Sequence, residues 1–126
     1  HIASLMVEKG YVKSLQEAFS LYIGDNKCCY TQSESASIDE VLDIIKQARG
    51  KAFLAHPHLF AEGSIVKEIL THPFDGIECY YARCAKEKER RWLKVAAQSK
   101  LLISGGSDFH GSMKPHIPLG CSWVPY

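Results

Sequence analysis

From residue 37 onward, helical and strand patterns take turns. Ser37-x-x-Glu40 is a capping box, in which a hydroxyl and a carboxylate each satisfy a backbone N–H at a helix start. Ile38, Val41, Leu42, Ile45 and Ala48 then recur at helical spacing until Gly50. "KAFLAHP" reads as a short buried strand over 51–55, stopped by Pro57. "SIVKEILTH" reads as a short helix and "DGIECYY", 75–81, as a strand. "AKEKERRWLKVAAQSK" is an amphipathic helix with Trp92, Leu93 and Ala96 inward, and "LLISGG" is a third strand. This α-β-α-β-α-β order narrows the fold more than any other feature. Parallel strands need a crossover of helical length, so the pattern predicts an α/β protein with helices packed on a parallel sheet.

Residues 1–36 carry no strand pattern. Ile2, Leu5 and Met6 line one helical face, and Gly10 suits a left-handed cap. Ser14-x-x-Glu17 opens a second helix, where Leu15, Ala18, Phe19 and Tyr22 fall at i, i+3, i+4 and i+7 and Gly24-Asp25-Asn26 ends the run. The expected division is therefore a helical insertion over 1–36 and an α/β part over 37–126. A length of 126 residues, 46% of them hydrophobic and 23% charged, suits a folded domain and argues against disorder. A net charge of +1 creates no broad field toward nucleic acid or an anionic membrane. No apolar run approaches the roughly 20 residues of a membrane span. Five cysteines, at 28, 29, 79, 84 and 121, fit neither a disulfide framework nor a C-x-x-C zinc site and suit the reducing cytoplasm. Residue 1 is His rather than Met, so the chain reads as a processed or truncated piece.

In parallel α/β architectures chemistry gathers beyond the carboxyl ends of the strands. The first predicted strand ends in His56-Pro57-His58, the second carries Glu78-Cys79-Tyr80-Tyr81, and the third runs through "SGGSDFHG" to Asp108 and His110. Two positions apart on extended backbone, Asp108 and His110 share a side, with Phe109 turned into packing. Gly105 and Gly106 are expected to permit tight bends there. Imidazole and carboxylate suit zinc, manganese or iron, which activate water and neutralise phosphoryl charge. Spacing alone leaves a hydrogen-bonded surface role equally open.

"AHP" after a strand, then "GIECYY", then "GSDFHG" with "KPHIPLG" resemble the C-terminal portion of the PHP (polymerase and histidinol phosphatase) superfamily. "HIASLMVEKGYVKSLQEAFSLYIG" also resembles the helical insertion of its small stand-alone phosphoesterases. The resemblance implies part of a distorted (β/α)7 TIM-like barrel and metal-dependent hydrolysis of phosphate esters, with nucleotides or short nucleic acids as substrates. It implies two or three divalent ions (Mn, Zn or Fe) in the complete enzyme, with His56, Asp108 and His110 as ligands. His1 is the implied phosphate contact; His58, next to the position where members carry Arg, and Lys114, near the site in sequence, are weaker candidates for the same role, with a plain loop role open for Lys114. Leu59 stands where members often carry Arg, and Cys84 where many carry His. The family's first motifs would precede His1, so the isolated chain is expected to be inactive and to present an open sheet edge suited to self-association.

The remaining residues have plainer readings. His72 is expected at a helix end, His116 in a loop, Cys79 in the core, and Glu78 either beside a metal ligand or paired with a base. Spacing suggests the pairs Arg83–Glu87 and Glu87–Arg91 on a solvated helix face. Two rival functions remain: a metal-dependent hydrolase of C–N bonds, and a non-catalytic fragment serving protein contacts.

Overall fold

The computed structural model describes residues 2–31, 35–60 and 63–125. The chain divides into two compact units, His1–Ser35 and Ala36–Tyr126.

The first unit is helical. α1 spans Ile2–Glu8, and α2, Leu15–Ala18, continues into a π-helical turn over Phe19–Ile23. Ser14 caps α2 by accepting the Glu17 N–H at 3.1 Å, while the Glu17 carboxylate reaches back to the Lys13 N–H. Gly10 takes the left-handed cap conformation at φ +74°. The core is Ala3, Val12 and Ala18, flanked by Met6, Val7, Leu15 and Tyr22. The buried face of α1 is thus Ala3, Met6 and Val7, whereas Ile2 and Leu5 are exposed, which corrects the expected face by one residue.

The second unit holds a three-stranded parallel sheet in the order β1 (Phe53–Leu54), β2 (Gly76–Tyr81), β3 (Leu102–Gly106). Three helices accompany it: α3 (Ile38–Gln47), α4 (Gly63–Ile69) and α5 (Lys86–Ser99). The full Ser37–Glu40 capping box starts α3. Val66 of α4 and Trp92 and Ala96 of α5 pack with Leu54, Ile77 and Cys79 to form the core. Desolvation there pushes the Cys79 thiol up to about 11, as befits an inert core cysteine.

Several expectations change. Only Leu42 of the predicted α3 stripe is buried, and Phe53, Leu102 and Ile103 of the sheet stay partly exposed. The pair Arg83–Glu87 does not form, because Arg83 precedes α5 and sits at φ +61°, off helical spacing. Arg91 lies over the Trp92 ring at 4.9 Å, and the ion pair on this helix is Lys86–Glu89 at 2.8 Å. Gly105 and Gly106 do not bend the chain; both belong to β3. A bulge between Glu78 and Tyr80 brings β2 so close that a Cβ on Gly105 would lie 2.5 Å from the Tyr80 Cβ. Among the described residues, no helix is long and apolar enough to cross a membrane.

Candidate active site

Each strand hands over to a turn in which one non-glycine residue adopts the left-handed conformation. These are His56 after β1 (φ +51°), Arg83 after β2 (φ +61°) and Asp108 after β3 (φ +52°). L-residues pay a steric penalty there, and such strain concentrates at functional sites. The turns aim side chains across the carboxyl edge of the sheet.

There they meet. His56 Nε2 lies 3.8 Å from Asp108 Oδ1 and 3.8 Å from Glu78 Oε2. The Glu78 carboxylate also accepts the His56 backbone N–H at 2.9 Å, so it orients the turn as well as facing the ring. Asp108 and His110 come together through a turn rather than an extended segment: Nδ1 of His110 lies 2.7 Å from the Asp108 carbonyl and 3.5 Å from Asp108 Oδ1. A carbonyl can only accept, so Nδ1 donates to it, and Nε2 is the ring nitrogen left for another partner. Phe109 between them is half-exposed rather than packed.

Asp108 is the most heavily partnered of the group. Lys114 Nζ and the Tyr81 hydroxyl both donate to Oδ2, the latter at 3.0 Å. The Lys114 hydrogen bond above all, then that of Tyr81, holds the Asp108 carboxyl below its ordinary range. Conversely, the bond to Asp108 raises Lys114, while burial foremost raises the Tyr81 hydroxyl. His58 stacks on Tyr81 with ring centroids 4.2 Å apart, and its Nε2 is buried without a hydrogen-bond partner. Burial, then the neighbouring His56, lowers its pKa and favours the neutral ring.

His1 lies outside the described residues. The other five residues singled out from sequence, His56, His58, Asp108, His110 and Lys114, all belong to this edge of the second unit. Two contributions were not legible beforehand: Tyr81 as a donor to Asp108, and Glu78 as the anchor of the His56 turn. The one signal was an acid set among apolar neighbours in a strand, which needs a partner when buried. His72 proves to lie elsewhere, its Nδ1 2.7 Å from Asp39 Oδ1.

The donor set of imidazoles and carboxylates fits a divalent cation of borderline hardness. Bonds of about 2.1 Å place neighbouring donors roughly 3.0–3.5 Å apart. The separation of His56 Nε2 from Asp108 Oδ1, 3.8 Å, is a little wider than that, and no three His, Cys, Asp or Glu donors among the described residues converge ready-made on one point. By the chemistry of its donor atoms the group suits a cation.

No family model matches the chain. It is 30% identical over 131 aligned positions to the 5′-3′ exoribonuclease Rnm of Escherichia coli, covering 99% of this chain and 44% of that protein. It is likewise 30% identical to a 3′,5′-nucleoside bisphosphate phosphatase of Chromobacterium violaceum, covering 87% of this chain and 40% of the relative. Among solved structures, one described as a metal-dependent phosphoesterase from Bifidobacterium adolescentis superposes with a TM-score of 0.75 at 28% identity, over 98% of this chain and 45% of that one. A Chromobacterium violaceum structure described as an amidohydrolase with bound sulfate and no metal matches with a TM-score of 0.72 at 25% identity, over 95% and 43%. The chain spans less than half the length of these relatives. With its "AHP" and "GSDFHG" turns meeting at one sheet edge, the chain is similar to phosphate-ester hydrolases, and these similarities are consistent with the C-terminal portion of a PHP-superfamily protein.

Proposed function

We propose that the chain contributes to the metal centre of a hydrolase of phosphate esters whose substrates are nucleotides or short nucleic acids. The observation that carries this reading is the approach of His56 to Asp108, 3.8 Å, from turns at the ends of different strands. His56, Asp108 and His110 would hold divalent Mn, Zn or Fe, two or three ions in the complete enzyme, with Glu78 alongside. Such ions lower the pKa of bound water and neutralise phosphoryl charge. The protein's own part is orientation. The Asp108 carbonyl holds the His110 ring through Nδ1 and turns Nε2 outward, Glu78 pins the His56 turn, and Tyr81 fixes the Asp108 carboxylate. Lys114 places an ammonium where a substrate phosphate would be held, and His58 offers an uncharged ring beside it.

In this reading the second unit is part of a distorted (β/α)7 barrel and residues 1–36 form its helical insertion. The exposed Phe53, Leu102 and Ile103 support this, because a parallel sheet is normally covered on both faces. Five free thiols suit the cytoplasm. The chain alone is expected to be inactive. Placed behind the unmatched portion of the Escherichia coli relative, it should release phosphate from nucleoside 3′,5′-bisphosphates or 5′-phosphorylated oligoribonucleotides with added Mn²⁺, and His56→Ala should abolish this. Retention of full turnover by His56→Ala would refute the assignment. The similarity to a structure described as an amidohydrolase keeps C–N hydrolysis as a second reading. Preferential turnover of amides by the same chimaera would favour it.

A further inference from the structure

The candidate site opens into a region that the proposed hydrolysis does not use. Two clefts of about 390 and 380 Å³ share Tyr81, Arg83 and Cys84 as walls, and each is large enough for a small ligand. One is also bounded by Lys88 and Lys114. It therefore meets the candidate site, since Lys114 and Tyr81 both bond Asp108. The other cleft continues to Trp123. The two clefts adjoin at Tyr81, Arg83 and Cys84 as one groove beside Asp108.

The charges along this groove are unevenly satisfied. Glu89, the acid on its wall, is held by Lys86 at 2.8 Å. Arg83 and Lys88 have no carboxylate partner among the described residues. Arg83, whose backbone takes a left-handed turn, lines both clefts. Trp123 is 67% exposed, so a large planar face is offered to solvent at the far end. Unpaired cations that track a backbone, followed by an open aromatic face, are what single-stranded nucleic acid requires. A duplex keeps its bases stacked inside and gains nothing from such a face.

We infer that this groove binds a single-stranded oligonucleotide leading out of the candidate site, with Arg83 and Lys88 on the next phosphodiester and a base stacked on Trp123. The direction of the strand rests on the phosphoesterase reading; the groove itself does not. The test is fluorescence anisotropy of the 126-residue chain with a short, 5′-phosphorylated, 3′-labelled single-stranded RNA across a salt series. Binding should weaken with salt and quench Trp123 emission, the other tryptophan, Trp92, being buried. Arg83→Gln with Lys88→Gln should weaken binding roughly tenfold and reduce the salt slope by about 0.7, the value for one phosphate no longer neutralised. Trp123→Ala should weaken it by about tenfold and remove the quench. Both changed cations are exposed, so circular dichroism should be unaltered. Failure of the wild-type chain to bind, equal binding of duplex RNA, or unchanged affinity in these variants would overturn the inference. Asp75→Asn, at the opposite end of the sheet, should bind RNA normally. If the chimaera fails to hydrolyse while groove-dependent binding persists, the phosphoesterase reading falls and the groove stands. Hydrolysis with unaffected groove variants would strike the groove alone.

Discussion

At both ends of β1 a backbone N–H is accepted by a carboxylate of the segment carrying β2: that of Ala52 by Asp75 and that of His56 by Glu78, each at 2.9 Å. The two ends then diverge. Asp75 is completed by Lys51 Nζ at 2.7 Å, and the Asp75 and Gly76 amides return bonds to the Ala52 carbonyl. Both Asp75 carboxylate oxygens are thus partnered within the strand junction itself. Glu78 instead faces the His56 ring at 3.8 Å, with Asp108 equally near that ring, in turns that hold left-handed non-glycine residues. One device, a carboxylate stitching neighbouring strands, closes the amino end of the sheet and leaves the carboxyl end with donor atoms still to be used. Saturated hydrogen bonding stabilises; incomplete pairing at short range is what a ligand can complete.

The contrast is broken most directly by charge removal at each end. In the chimaera, Asp108→Asn should cut the rate of phosphate release by at least about 100-fold, since even outer contacts of a metal site cost about 10–100-fold. Asp75→Asn should leave that rate within about twofold. Equal losses at both ends would erase the distinction. A finer probe is Glu78. Glu78→Gln keeps an acceptor for the His56 N–H and should lower activity by about tenfold with little change in stability. Glu78→Ala leaves that amide unpaired and should also cost about 1 kcal/mol, read from denaturant unfolding. The smallest effect concerns pH at the closed end. The Lys51 hydrogen bond foremost, then the Ala52 N–H, holds the Asp75 carboxyl below its ordinary range. A depressed folded pKa means that the folded state binds fewer protons, so this contribution is present above the ordinary carboxylate pKa and lost as pH falls through the depressed value. Asp75→Asn should lower the thermal midpoint by roughly 2–5 °C at pH 7, with the difference shrinking below about pH 4. A difference constant with pH would remove charge from the account.

Much of the second unit could be read along the chain, because its signals are local. Capping at Ser37, the apolar spacing of Trp92 and Ala96, and the stop at Pro57 each act within a few residues, and the elements stand where they point. Readings that needed a neighbour fared worse. The glycines before Ser107 looked like bends, yet Gly105 is required by a bulge on β2, a partner 25 positions away by number. Arg83 looked like the start of a helical charge series, yet its turn removes it from that helix.

The sequence by itself determined the alternation of helix and strand and the placing of His56, Asp108 and His110 just beyond strands, since periodicity and breakers are carried by adjacent residues. Only the tertiary structure decided that Tyr81 and Lys114 share Asp108, that Glu78 secures the His56 turn, and that Arg83 lines two clefts. Those relations depend on strand order, register and left-handed turns. They arise from contacts between segments far apart along the chain, which no local pattern encodes.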